Sequence, residues 1–230
     1  MAGILYAIAT PLGGAATDAL PAPALATVRT LRHFVVENAK SARAFLKEVE
    51  MPGPMQDLSI AAIDADFFLA LKKLQEGESV GLLSEAGCPA IADPGAKLVE
   101  AAHAAGIRVV PLVGPSSIVL ALMASGLEGQ RFAFCGYLPR AAEERQKKIR
   151  ELETRSRLER ETQIFIETPY RNDTLLAALL EACHPATRLC VATGLTLPCE
   201  SVRTQSVAAW RTEKRAIGKL PTVFLLLSER

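Results

Sequence analysis

The chain has 230 residues, half of them hydrophobic, with 26 basic and 25 acidic side chains and a formal net charge of +1. That length suits one large domain or two small ones, each with its own core. The balanced charge excludes a global pull toward nucleic acid or anionic membrane, so RNA binding would need a local basic face.

Residues 4–9 are apolar and read as a first strand. The N-terminus imitates a secretory signal, with Ala24-Leu25-Ala26 where a cleavage site would stand. It has no positive n-region, and Pro11, Gly13 and Gly14 break the apolar run, so a cytoplasmic protein is expected. Further strands are expected at 34–37, 80–83 and 108–111, and helices at 41–50, 64–75 and 94–105. Asp64 suits an N-cap, and Gly77 and Gly106 suit helix stops. Strand–helix alternation predicts a mostly parallel sheet covered by helices.

A further apolar helix is expected at 116–125, capped by Ser116 or Ser117 and ended by Gly126. Beyond it the texture changes. Strands are expected at 132–135, 163–167, 188–193, 202–207 and 222–227, with a helix at 172–183. Residues 140–161 carry opposite charges three or four apart, such as Glu143 with Lys147 and Glu144 with Lys148, as on a solvated helix face. Several of these strands follow one another without a long helix between them, which predicts antiparallel pairing. The fold class expected is α/β, with an N-terminal domain over 1–112 and a C-terminal domain with a mixed sheet over 113–230. Residues 109–124 are too interrupted by proline, glycine and serine to span a membrane.

Cys88, Cys135, Cys183, Cys190 and Cys199 form no C-x-x-C pair and read as reduced thiols. His33, His103 and His184 have no ligand spacing, so no metal is expected.

Four loops at strand ends stand out. Ser84-Glu85-Ala86-Gly87-Cys88-Pro89-Ala90-Ile91-Ala92-Asp93-Pro94-Gly95 has glycines for tight backbone and prolines that stiffen it, and stiffness lowers the entropy cost of holding a ligand. Asp93 could cap the helix that follows. Val113-Gly114-Pro115-Ser116-Ser117-Ile118 puts two hydroxyls at a helix start, one more than capping needs. Thr10-Pro11-Leu12-Gly13-Gly14 does not match G-x-G-x-x-G, and no phosphate-binding G-x-x-x-x-G-K-[ST] occurs. Glu167-Thr168-Pro169-Tyr170-Arg171-Asn172 carries an acid, a phenol and a guanidinium. Spacing alone leaves each loop open between a ligand contact and a plain turn.

Taken in order, these words and the later Ala192-Thr193-Gly194-Leu195-Thr196 and Pro221-Thr222-Val223-Phe224 resemble the tetrapyrrole methylase family of S-adenosylmethionine (SAM)-dependent methyltransferases, over residues 4–228. The stretches at 107–111 and 132–139 are similar to the branch that methylates a ribose 2′-hydroxyl in small-subunit ribosomal RNA. The resemblance implies two α/β domains with SAM held in the cleft between them, in a homodimer. It implies cofactor contacts from Pro11, Ser84, Gly87, Pro89, Ile91, Asp93, Val113, Ser116, Ser117, Ile118, Tyr170, Ala192, Thr193 and Thr222.

The chain departs from that branch at several words. A-E-D-T-R becomes Val36-Glu37-Asn38-Ala39-Lys40, S-D-A-G-T-P becomes Ser84-Glu85-Ala86-Gly87-Cys88-Pro89, and A-R-E-L becomes Ala192-Thr193-Gly194-Leu195. K-G-E gives way to Gly218-Lys219-Leu220-Pro221. The implied activity is in-line methyl transfer to an rRNA ribose. A base would help an alcohol attack, with Glu37 and Glu167 as candidates and Arg171 or Lys40 to hold an anionic group of the acceptor. Interdomain salt bridging would also explain those charges. The altered words leave room for a SAM-binding regulatory module without transfer, or a methylase of a small tetrapyrrole or a protein side chain. The basic residues Arg211, Lys214, Arg215 and Lys219 favour RNA mildly, against Glu213.

Overall fold

The structure, a computed structural model, describes residues 2–213 and 216–229, with all their side chains except those of 64–66. The chain divides into two units, Met1–Ser116 and Ser117–Arg230.

In chain order the first unit comprises β1 (Ile4–Ile8), α1 (Ala16–Ala19), α2 (Ala22–Thr30), β2 (His33–Val36), α3 (Ala39–Glu48), β3 (Ser59–Ala62), α4 (Ile63–Gln75), β4 (Val80–Leu83), α5 (Ala96–Ala104) and β5 (Arg108–Pro111). The β4 sequence VGLL has no polar face and is buried at every position. Such a strand needs cover on both faces, as a parallel sheet provides. The sheet order is β3-β2-β4-β1-β5, and every pairing is parallel. Alternate strand residues feed two cores. Ile8, Phe34 and Leu83 pack with Leu25 and Val28 of α2 and Phe45 and Leu46 of α3. Leu5, Val35 and Leu82 pack with Leu74 of α4 and Leu98 of α5.

Helix starts differ from expectation where a cap decides them. Asn38 Oδ1 accepts from Lys40 N at 2.9 Å and Ser41 N at 3.4 Å, which starts α3 two residues early. Helix α4 begins at Ile63 after Ala62, and the side chain of Asp64 lies outside the described residues. Helix α5 starts at Ala96 with Gly95 at its N-cap and no side-chain bond, so Asp93 is not its cap. Helices α1 and α2 and strand β3 were not foreseen.

The second unit comprises α6 (Ser117–Ser125), β6 (Phe132–Tyr137), α7 (Ala142–Glu159), β7 (Thr162–Glu167), α8 (Asn172–Ala182), β8 (Arg188–Thr193), β9 (Ser201–Ser206), α9 (Val207–Thr212) and β10 (Thr222–Leu227). Its sheet runs β6-β7-β10-β8-β9, with β6–β7 parallel and the other pairs antiparallel. Strand β10 is buried at all six positions. Phe224 stacks on Phe165 of β7 with ring centroids 6.0 Å apart. Val207 opens α9 instead of ending a strand, because Ser206 Oγ accepts from Ala209 N at 3.2 Å. On α7, Lys148 pairs with Glu151 at 3.4 Å, where spacing had suggested Glu144. No helix among the described residues is long and apolar enough to cross a membrane.

Both rings of the central pair are fully buried. Phe224→Ala should therefore lower unfolding free energy by about 3–5 kcal/mol in denaturant titration. A loss below about 1 kcal/mol would show that β10 is not the centre of this core.

Candidate functional site

In a parallel sheet every strand releases its loop at the same edge. Strands β1 and β4 are neighbours, yet the connection from β1 leads to β2 on one side and that from β4 leads to β5 on the other. A reversal of this kind opens a crevice beyond the C-terminal strand ends, where ligands collect.

The loops at that edge are tied together. Thr10 N donates to Gly87 O at 2.9 Å, and Gly87 N donates to Thr10 O at 3.0 Å. Thr10 Oγ1 donates to Ser84 O at 3.3 Å, and Ser84 Oγ to Gly87 O at 2.9 Å. Cys88 Sγ reaches Pro115 O at 3.4 Å, which joins the loop after β5. Gly87 has φ +81°, and a Cβ there would lie 3.2 Å from Leu12 Cδ2. At Gly114 a Cβ would lie 2.5 Å from Ala9 Cβ and 2.8 Å from Leu20 Cδ2, so only glycine lets this loop lie against the first.

Ser84 and Pro89 are buried in this rim, Pro11 and Ser116 half-buried. Ile91 is 50% exposed and Val113 74%. Ala90 and Ala92, on either side of Ile91, hold left-handed backbone at φ +66° and +64°. Alanine resists that conformation, and such strain gathers at ligand loops.

Negative charge collects beside the rim. Glu37, at the end of β2, accepts from Glu85 N at 3.0 Å, and Glu85 accepts from Ser41 Oγ at 3.4 Å. Burial, then the charges of Glu37 and Glu85, push the Asp93 carboxyl up to about 6. Burial and Asp93 also push the Cys88 thiol up, so it is a poor nucleophile at neutral pH.

In the second unit, strand register places Thr222 opposite Glu167 on one side and Thr193 on the other, a single row at one sheet end. Ala192 lies one step inward, opposite Val223. Ser117 and Ile118 open α6 and are half-buried. The expectation for Glu167 and Arg171 needs correction. The Glu167 side chain is 2% exposed and its Oε1 accepts from both Arg171 Nη2 and Thr168 N. A carboxylate locked onto its own turn is poorly placed to take a substrate proton, and Arg171 is committed to it. The i,i+4 spacing of the two was the available signal.

Two residues were missed. Asn172, read only as the last residue of its loop, is fully buried, and its Nδ2 reaches Leu220 O at 2.7 Å and Thr222 Oγ1 at 3.1 Å. Glu85 was read only as part of its loop. Of the expected basic cluster, Lys214 and Arg215 lie outside the described residues. Arg211 donates to Leu180 O at 2.8 Å and Cys183 O at 3.1 Å. Among the described residues no group of three His, Cys, Asp or Glu side chains is arranged to hold a metal ion.

Residues 5–209 match the family described as Tetrapyrrole (Corrin/Porphyrin) Methylases, and the chain belongs to it. It is 34% identical over 211 residues to Ribosomal RNA small subunit methyltransferase I of Xylella fastidiosa, covering 92% of this chain and 75% of that protein. The protein of the same name from Pseudomonas aeruginosa is 32% identical over 207 residues, 90% of this chain and 71% of that one. Among solved structures, the methyltransferase CobJ superposes with a TM-score of 0.65 at 19% identity, over 99% of this chain and 95% of that one. Uroporphyrin-III-C-methyltransferase from Thermus thermophilus gives 0.59 at 20% identity, over 100% and 94%. These two structures share the two-sheet α/β fold.

Asp93 holds its proton to about 6 in the fold, against an ordinary value of 3.8. The folded state then binds that proton more tightly than the unfolded chain, so stability falls as pH rises from about 4 to about 6. Asp93→Asn should raise Tm over wild type at pH 7.5 and give no gain at pH 4. Equal shifts at both pH values would mean that the carboxylate cluster is not the cause.

Proposed function

We propose, from membership of the tetrapyrrole methylases, that the chain transfers a methyl group from SAM to the ribose 2′-hydroxyl of a small-subunit rRNA nucleotide. The observation that carries the cofactor assignment is the rim formed by the loops after β1, β4 and β5. SAM needs close backbone approach, an apolar wall and compensation for its positive charge. Gly87 and Gly114 clear side chains from the rim, while Ile91 and Val113 present apolar surface. Glu37, Glu85 and Asp93 favour a cation nearby. The residues present therefore fit the cofactor. The rRNA acceptor is supported by the names of the two relatives. The family pattern adds a homodimer and a cytoplasmic location to the reading.

Bound SAM supplies an electrophilic methyl group on a sulfonium. The chain's share of the chemistry is alignment and exclusion of water. Pro89 and the Thr10–Gly87 bridge keep the rim stiff, so that less entropy is lost when a ligand is held. Glu37 is the carboxylate we assign to receive the acceptor's proton, its direction set by the bond from Glu85 N. Glu167 and Arg171 act instead as a clamp on the turn that carries Tyr170, and Thr193 and Thr222 line the same sheet end.

Calorimetric titration should show SAM binding at pH 7.5 that weakens toward pH 5, as Asp93 takes up its proton. The demethylated product, with a neutral sulfur, should show a smaller pH effect. Labelled methyl groups should then appear in small-subunit rRNA. A folded protein that binds no SAM overturns the reading, and label found only in acid-soluble small molecules removes the RNA acceptor.

A further inference from the structure

Tyr170 stands 79% exposed on a single 3-10 turn, Pro169–Arg171. An exposed ring alone needs no explanation, but this one stands on a stiff turn beside a cation. The turn is stiff because Arg171 is bonded to Glu167 and Thr168, and Arg171 N donates to Thr168 O at 2.9 Å. Lys219 Nζ lies 5.2 Å from the centre of the Tyr170 ring, and no carboxylate among the described residues forms an ion pair with it. The backbone beside Lys219 is fixed by the two residues that follow the turn. Asn172 Nδ2 donates to Leu220 O, while Asp173 accepts from Ile217 N at 2.7 Å and Gly218 N at 3.4 Å. A phenol ring and an ammonium, both exposed, are thus held side by side by one short stretch of chain, next to the Glu167–Thr222–Thr193 row.

We propose that Tyr170 and Lys219 form a docking platform for one nucleotide of a single-stranded RNA acceptor, with the base stacked on the ring and an adjacent phosphate at the ammonium. This rests on the RNA-acceptor reading above, and it moves Tyr170 from the cofactor to the acceptor. Every base has a π-face, so stacking tolerates sequence and serves to position a strand. Arg171 cannot take the phosphate role while its charge is held by the buried Glu167. Lys219 can, because its present contact is a cation–π one that leaves its charge uncompensated. The backbone bonds that fix both residues reduce what is lost on ordering them around RNA.

The test uses full-length wild type, Tyr170→Ala, Tyr170→Phe and Lys219→Ala. Three quantities are measured: affinity for a short labelled single-stranded RNA across a salt series, SAM affinity by calorimetry, and methyl transfer to protein-free small-subunit rRNA. Tyr170→Ala should weaken RNA binding about tenfold. Tyr170→Phe, which keeps the ring, should stay near wild type. Lys219→Ala should reduce the slope of log affinity against log salt by about 0.7, the share of one phosphate contact. SAM affinity should be the same in all four proteins, which also shows that the variants fold. Unchanged RNA affinity in Tyr170→Ala overturns the platform, as does a loss of SAM affinity in that variant. Wild-type transfer to rRNA with no effect of either substitution removes the platform alone. A wild type that neither binds RNA nor methylates it removes the RNA acceptor as well.

Discussion

The pair of hydrogen bonds exchanged by Thr10 and Gly87 sets the geometry of the loops at the C-terminal edge of the first unit's sheet. Past the end of a parallel sheet, backbone groups have no ladder to join and must find other partners. This one bridge satisfies two donors and holds the β1 and β4 loops together. With Gly87 fixed, Cys88 is carried to the Pro115 carbonyl and Gly114 is brought against Ala9. The left-handed backbone at Ala90 and Ala92 persists because both ends of its loop are anchored, one by the bridge and the other by the Ala90 N to Pro94 O bond at 3.3 Å.

The same anchoring crowds Glu37, Glu85 and Asp93 into one region, where burial and then the two neighbouring charges push the Asp93 carboxyl up to about 6. At the opposite edge of the sheet charge is arranged differently. There Glu78 lies between Lys73 and His33, and the hydrogen bond from Lys73 holds its carboxyl below the ordinary value. One edge carries paired charges and the other a surplus of negative charge. A perturbed carboxylate such as Asp93 in a strained, glycine-lined rim is a mark of a functional edge.

The alternation of strands and helices was legible because apolar runs such as Val80–Leu83 and Thr222–Leu227 are short and lack a polar face. Strand β3 was not legible. Its sequence, SIAA, has one large apolar side chain and follows Pro52, Gly53 and Pro54, so only pairing with β2 makes it a strand. Helix α2 was hidden by Pro21 and Pro23, which read as breakers. They stand at its N-cap and first turn, where a missing N–H is no loss. The Gly/Pro loops could be recognised locally. The bridge and the carboxylate crowding depend on contacts far apart in sequence, as in the Glu37–Glu85 bond, and no local pattern reveals them.

The two units hold their site residues by different means, and that bears on how the chain has diverged. In the first unit backbone groups make the rim, and a Cβ at Gly114 would strike Ala9, so the loop words are tightly constrained. In the second unit strand register sets the row Glu167, Thr222 and Thr193, while exposed side chains provide the surface beside it. Lys219 falls within Gly218-Lys219-Leu220-Pro221, one of the words that depart from the rRNA branch, yet its backbone is held by Asn172 and Asp173. Their side chains bond the carbonyls and N–H groups of that segment, which exist whatever side chains it carries. A surface built this way can change its chemistry without disturbing the core beneath it. A rim built from backbone has no such freedom, since a side chain at Gly114 would strike Ala9 and Leu20.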